Sequence, residues 1–247
     1  MSNTILGMRR FLQQPSECSF AASTAVGHFY NKDIDYAHVR EIGNAHSEGL
    51  WTPQIASLLN KIGFSEVTVV TGDIRQLDFD WKNLTKRQLI NRLSNNKKKY
   101  PDSESRQITK HYLDFLNNKE CNNSIIIDIH FGKYIRKYIN QNKPILASFN
   151  WNLFFNQPKK NNKGINDPIK GNFEEHEVVI YGYNESGVYI LDSHHECYHG
   201  QLAKFRTGRY HMKWDTLHTV MGFGDLILPD KYDFELFEKY NELVQTN

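Results

Sequence analysis

Gln13-Gln14-Pro15-Ser16-Glu17-Cys18-Ser19-Phe20-Ala21-Ala22 is the stretch on which the reading of this chain turns. A short polar loop with one proline delivers Cys18 into residues 19–30, a run of small and apolar side chains that reads as a buried helix. The thiol therefore lies at or near a helix N-terminus, where unpaired N–H groups and the macrodipole favour thiolate over thiol. Thiolate is the nucleophilic form, so this setting suits a cysteine enzyme. A glutamine a few residues upstream carries an amide that can donate a hydrogen bond to an oxyanion formed when Cys18 attacks a carbonyl. Alone, a cysteine opening a core helix is more often a small buried apolar residue, so Cys18 needs partners elsewhere in the chain.

Those partners stand far downstream. His176-Glu177-Val178-Val179-Ile180-Tyr181-Gly182-Tyr183 and Val188-Tyr189-Ile190-Leu191-Asp192 read as two strands, joined at Asn184-Glu185-Ser186-Gly187 by a hairpin turn. In an antiparallel pair the start of one strand and the end of the next share one edge. His176 and Asp192 therefore fall side by side. A carboxylate on one imidazole nitrogen orients the ring and stabilises its protonated form, leaving the other nitrogen for the thiol.

Around these motifs the spacing predicts a short amphipathic helix over 34–42 and a helix after Thr52 and Pro53, with Thr52 as N-cap and Gly63 as its stop. Residues 64–72 alternate and are β-branched, which predicts a strand. From 73 to 124 the chain turns polar, and two helices are expected there, over about 85–94 and 103–117. This segment reads as a helical insertion within a single domain spanning 1–247, its lysine run a solvated loop and its Cys121 an incidental thiol. Strands over 125–129 and 144–151 flank a helix over about 131–141, and a strand over 220–228 precedes a C-terminal helix within 231–247. The Lys/Asn/Gly/Pro stretch 156–172 is long enough for a mobile lid.

With 13 Tyr, 15 Phe and a net charge of 30 − 28 = +2, the composition is that of a folded globule without the basic array that would point to nucleic acid. No membrane span or signal peptide is read, and three cysteines, an odd number, fit a reducing compartment, so a cytoplasmic protein is expected. His194-His195-Glu196-Cys197-x-His199 is read as a polar loop rather than a metal cluster, since adjacent histidines tend to point apart. No cofactor is called for.

Together, Gln13-x-Pro15-x-x-Cys18-x-x-Ala21, His176-x-Val178-Val179-Ile180-x-Gly182-Tyr183 and Val188-Tyr189-Ile190-Leu191-Asp192 resemble the bacteriocin-processing (double-glycine leader) peptidases of the papain-like cysteine peptidase superfamily. The order Gln, Cys, His, Asp and the His-to-Asp interval match, over roughly 8–72 and 125–228. The resemblance implies an α+β papain-like fold, its Cys-bearing N-terminal helix packed on an antiparallel sheet. It makes Cys18 the nucleophile, His176 the general base and acid, Asp192 the orienting carboxylate, and Gln13 (or Gln14) the oxyanion donor beside the Cys18 N–H. Two positions depart from the family pattern: Ser19 stands where glycine is usual, and Ser193 where proline is usual. Trp51, Trp151 and Glu175 are candidate substrate contacts, Glu175 favouring a cationic group. The expected activity is thiol-dependent acyl transfer on a peptide or other acyl-bearing substrate, to water in a peptidase or to an amine or thiol in an acyltransferase. A non-catalytic binding module on the same fold is the other class.

Overall fold

The computed structural model describes residues 4–45, 49–73, 76–100, 102–161, 164–172, 174–194, 207–222 and 224–245. The first helix, α1 (Cys18–Tyr30), is buried on nearly every side, which its Ala, Ser, Thr and Gly residues permit by letting neighbours approach closely. Helix α2 (Tyr36–Gly43) starts at Asp35, whose side chain accepts from the His38 N–H at 2.8 Å. Helix α3 (Thr52–Lys61) has Trp51 rather than Thr52 at its N-cap. The Thr52 hydroxyl is drawn away from capping because it donates to Asp225 Oδ2 at 2.5 Å. Gly63 does end this helix region, at φ 109°, where a Cβ would collide with the Tyr232 ring.

Strands β1 (Thr4–Ile5), β2 (Phe64–Thr71), β3 (Ser124–Ile127), β4 (Ile145–Asn150), β5 (Glu175–Tyr183), β6 (Gly187–Leu191), β7 (Arg209–Lys213) and β8 (Asp225–Tyr232) form one sheet among the described residues. Its order is β3-β2-β8-β4-β5-β6-β7, with β1 also on β5. All pairings are antiparallel except β2 with β3, so the expected antiparallel sheet carries one parallel edge. Between β2 and β3 lie helices α4 (Lys86–Lys97), capped by Thr85 with Gln88, and α5 (Ser103–Asn117), capped by Asp102. Helices α6 (Phe131–Asn140), α7 (Trp151–Phe155), α8 (Trp214–Val220) and α9 (Phe234–Gln245) complete the fold. Helices α1 and α3 pack on β5, β4, β2 and β8, whereas α6 to α8 pack on β4 to β7. Strands β4 and β5 are buried almost throughout, as strands covered on both faces must be.

Three expected bounds shift. Val220 ends α8 and the final strand starts at Asp225, and between them the Gly224 N–H donates back to the Met221 carbonyl at 2.9 Å. Lys231 and Tyr232 belong to that strand, and the C-terminal helix starts only at Phe234. Trp151 begins α7 instead of closing β4, because Asn150 caps this short helix by accepting from the Leu153 N–H at 2.8 Å.

Candidate active site

The start of α1, the start of β5 and the residue after β6 meet at one edge of the sheet. The β5–β6 hairpin brings His176 and Asp192 together, and His176 Nε2 lies 2.8 Å from Asp192 Oδ1. With Nε2 engaged, Nδ1 is the nitrogen left for the Cys18 thiol, which lies near enough for the ring to lower its pKa. Cys18 is the first residue of α1 and is partly exposed. Burial pushes its thiol up. The hydrogen bond and charge of His176 oppose this, helped by the backbone N–H groups of Glu177 and Ser19, and the net shift is downward. Burial likewise disfavours an imidazolium at His176, yet the charge and hydrogen bond of Asp192, with Cys18, move its pKa up. Both directions favour one species, a thiolate–imidazolium pair. Cys121 behaves in the opposite way: burial, with Glu120 beside it, pushes its thiol up to about 11. It lies buried, although its neighbours in sequence are polar.

Asp192 is fully buried and pairs with His176. Its Oδ1 also accepts from the His194 N–H at 2.9 Å, and its Oδ2 accepts from the Tyr210 hydroxyl at 3.0 Å. Burial raises its pKa, but His176 and these donors outweigh that and hold the carboxyl low. Trp151 stands edge-on to the His176 ring, centroids 4.6 Å apart, and screens the His176–Asp192 contact from water. Trp51 instead sits 5.5 Å from the His111 ring of α5.

The two glutamines are separated by the structure. Gln14 is exposed, whereas Gln13 is buried and held on the turn that follows Asp192. The Gln13 N–H donates to the Ser193 carbonyl at 3.0 Å, and the Ser193 hydroxyl donates to Gln13 Oε1 at 2.7 Å. Arg10 braces the same turn, its Nε donating to the Asp192 carbonyl at 2.7 Å and its Nη2 to the His194 carbonyl. Gly208 completes the brace: at φ 63° its carbonyl accepts from the Asp192 N–H, and a Cβ there would strike Arg10. Ser19 is buried within α1, directly after Cys18. Ahead of Cys18, Glu17 is fixed by a bidentate contact with Arg40 (2.6 and 2.9 Å) and by the Tyr36 hydroxyl at 2.6 Å, which pins the loop that aims the thiol.

Sequence reasoning overlooked a row of acids along this edge. Glu177 lies opposite Ser148, and Asp225 opposite Thr71. Both carboxyls are buried, and one oxygen of each has no hydrogen-bond partner among the described residues. Burial, with the nearby negative charges, pushes Glu177 well up and Asp225 up to about 7. The signal was present: each carboxylate adjoins an otherwise apolar strand, Glu177 ahead of Val178-Val179-Ile180 and Asp225 ahead of Leu226-Ile227-Leu228. Tyr210 had no comparable signal, because β7 follows a segment whose pairing cannot be read from spacing. Glu175 is exposed at the same edge. Of the His194–His199 cluster, only His194 is described, 5.0 Å from Trp151 between ring centroids; positions 195–199 lie outside the described residues. Among the described residues no group of His, Cys, Asp and Glu could hold a metal ion, and no helix is long and apolar enough to cross a membrane.

No family model and no curated protein matches the chain. Among solved structures, it is similar to the peptidase domain of Streptococcus ComA, a bifunctional ABC transporter of a quorum-sensing pathway. The TM-score is 0.43 at 14% identity, covering 90% of this chain and 98% of that one. It is also similar to a C39-like peptidase from Bacillus anthracis, with TM-score 0.42 and 9% identity, covering 94% of this chain and 100% of the other. The chain itself has an α+β fold, with N-terminal helices on a mostly antiparallel sheet.

Proposed function

We propose that this protein is a cysteine hydrolase of the peptidase type, acting through Cys18, His176 and Asp192. The observation that carries this reading is the chain of contacts from the Cys18 sulfur through the imidazole to Asp192 Oδ1, at a helix N-terminus. The Cys18 thiolate adds to a substrate carbonyl carbon, and the carbonyl oxygen becomes an oxyanion received by the Gln13 amide and the Cys18 N–H. His176 then gives its proton to the departing amine as the C–N bond breaks, leaving a thioester on Cys18. Neutral His176 next takes a proton from water, the resulting hydroxide adds to the thioester, and the thiolate leaves with the acid released. Asp192 stays ionised and holds the imidazole in the tautomer this cycle needs.

Trp151 and Glu175 flank the triad, and we assign them the walls of the substrate site, with Trp51 further along the same edge beyond Asp225. Exposed Glu175 favours a cationic group on the substrate. It equally favours an amine as acceptor, which would make the protein an acyltransferase. Residues 73–124 are taken as an elaboration of a single domain. The test is iodoacetamide alkylation across pH, read site by site by mass spectrometry, on wild type and His176→Ala. Fast labelling of Cys18 well below the ordinary thiol pKa of about 8.5, lost in His176→Ala, is expected. Labelling of Cys18 no faster than that of a free thiol would leave the binding-module reading standing instead. Added hydroxylamine then separates the two acceptors, since an acyltransferase passes its acyl group to the amine in preference to water.

A further inference from the structure

We infer that Ser193 is a positioning residue for acyl transfer: it fixes which end of the Gln13 amide faces the oxyanion. This inference rests on the assignment of Cys18 and Gln13 above. A glutamine amide has one acceptor oxygen and one NH2 donor, and its last torsion is soft with a roughly two-fold profile. Turned one way, the NH2 group meets a developing oxyanion; turned the other, the carbonyl oxygen meets it and repels it. Position alone does not choose between them.

The Ser193 hydroxyl makes the choice. It donates to Gln13 Oε1 at 2.7 Å, with both side chains buried, so the oxygen end is spoken for and the NH2 end is left for the site. In the flipped amide the same hydroxyl would have to accept from the NH2 group instead, and its own proton would lose the buried acceptor that it has in Gln13 Oε1. The backbone holds the same two residues in register, through the Gln13 N–H and the Ser193 carbonyl. Because Ser193 directly follows Asp192, and Arg10 ties both sides of that turn, one three-residue segment fixes the orienting carboxylate and the oxyanion donor together. A proline at 193, the residue usual in the family this chain resembles, has no hydroxyl to offer. Serine here is therefore a device of this chain.

The experiment uses the full chain and p-nitrophenyl acetate, whose attack by Cys18 forms a thioester and releases p-nitrophenolate, read as a stopped-flow burst against a Cys18→Ser blank. Removing an oxyanion donor outright costs about 100-fold or more, and loss of its orientation should cost about 10-fold. Ser193→Ala is thus expected to acylate about 10-fold more slowly at saturation with KM little changed, and Ser193→Thr, which keeps the hydroxyl, to recover the rate. In a Gln13→Ala background, Ser193→Ala should change nothing further. Iodoacetamide alkylation displaces iodide without forming an oxyanion, so its rate in Ser193→Ala should equal that of wild type. Wild-type acylation in Ser193→Ala, equal losses in acylation and alkylation, or a Ser193→Ala effect that persists without Gln13 would each overturn the inference. So would a wild type that alkylates fast but gives no burst. Slow alkylation of wild type would instead overturn the assignment of Cys18, and this inference with it.

Discussion

Replacing Asp192 by Asn tests the coupling of charge and geometry most directly. Asn keeps the shape of a side chain that is fully buried and accepts from His176, His194 and Tyr210, but it removes the negative charge. With charge centres about 4 Å apart and an effective dielectric constant of about 20, the Asp192–imidazolium attraction is about 4 kcal/mol at most, or about 3 pH units on His176. The sign is fixed: without the carboxylate the imidazolium is less stable, the His176 pKa falls, and the Cys18 pKa rises as its counter-ion is lost. Stopped-flow alkylation by iodoacetamide should show Asp192→Asn reacting on the order of 100-fold more slowly than wild type at pH 6, and approaching it above pH 8.5. The same pair stabilises the fold in a definite window. The depressed Asp192 contributes above its unfolded pKa of about 3.9, while the raised His176 contributes fully below its unfolded pKa of about 6.5 and is lost as pH climbs through its folded value. Urea melts should therefore show the largest loss in Asp192→Asn between about pH 4 and 6.5. A folded variant with the wild-type alkylation profile would refute the reasoning.

Cys121, with its thiol pushed up to about 11 by burial, should resist iodoacetamide at pH 7.5 in the native protein and label only in denaturant. Arg40→Ala leaves the buried Glu17 carboxylate with the Tyr36 hydroxyl alone among the described residues, and should lower the urea midpoint, since an acceptor loses its charged donor. Asp225, raised to about 7 mainly by burial, is ionised more readily in the unfolded chain, so it lowers stability progressively as pH rises from about 4 to 7. Asp225→Asn should accordingly gain stability relative to wild type over that range, by at most about 4 kcal/mol, measured as urea midpoints at pH 4 and 7.5. Gly208→Ala should lower both the melting temperature and the acylation rate, because its Cβ displaces Arg10 from the turn that carries Asp192 and Ser193.

The hairpin and the helix that opens at Cys18 were legible because their signals are local. The apolar run after Cys18 and the interval from His176 to Asp192 across an Asn-x-x-Gly turn each determine geometry within a few residues. The turn itself closes as expected, with Asn184 Oδ1 accepting from Ser186 and Gly187 N–H groups. Legibility failed where a distant partner overrode a local preference. Thr52 has the residue type of an N-cap, yet Asp225, 173 positions away, takes its hydroxyl. Gln13 and Gln14 are equivalent on the page of the sequence, and the Ser193 turn, 180 positions away, distinguishes them by burying Gln13. Strand β7 could not be read because its alternating Arg-Tyr-His-Met-Lys pattern is short and its partner β6 is assigned by pairing, not by spacing.

The acids at the edge that carries Cys18 bear on how a thiolate survives there. Ionised carboxylates beside Cys18 would oppose the charge that His176 and the α1 terminus favour, and the Glu177 N–H already serves the sulfur. Burial eases the conflict by pushing Glu177 well up and Asp225 up to about 7, which works against a further carboxylate charge competing for the imidazolium. Exposed Glu175 lies at the rim, where water screens its charge from Cys18. Above about pH 7 Asp225 ionises near exposed Glu175, at the same end of the sheet. In Asp225→Asn the alkylation profile of Cys18 should keep its acid limb, because His176 is the group that lowers the Cys18 pKa and Asp192 the one that raises that of His176.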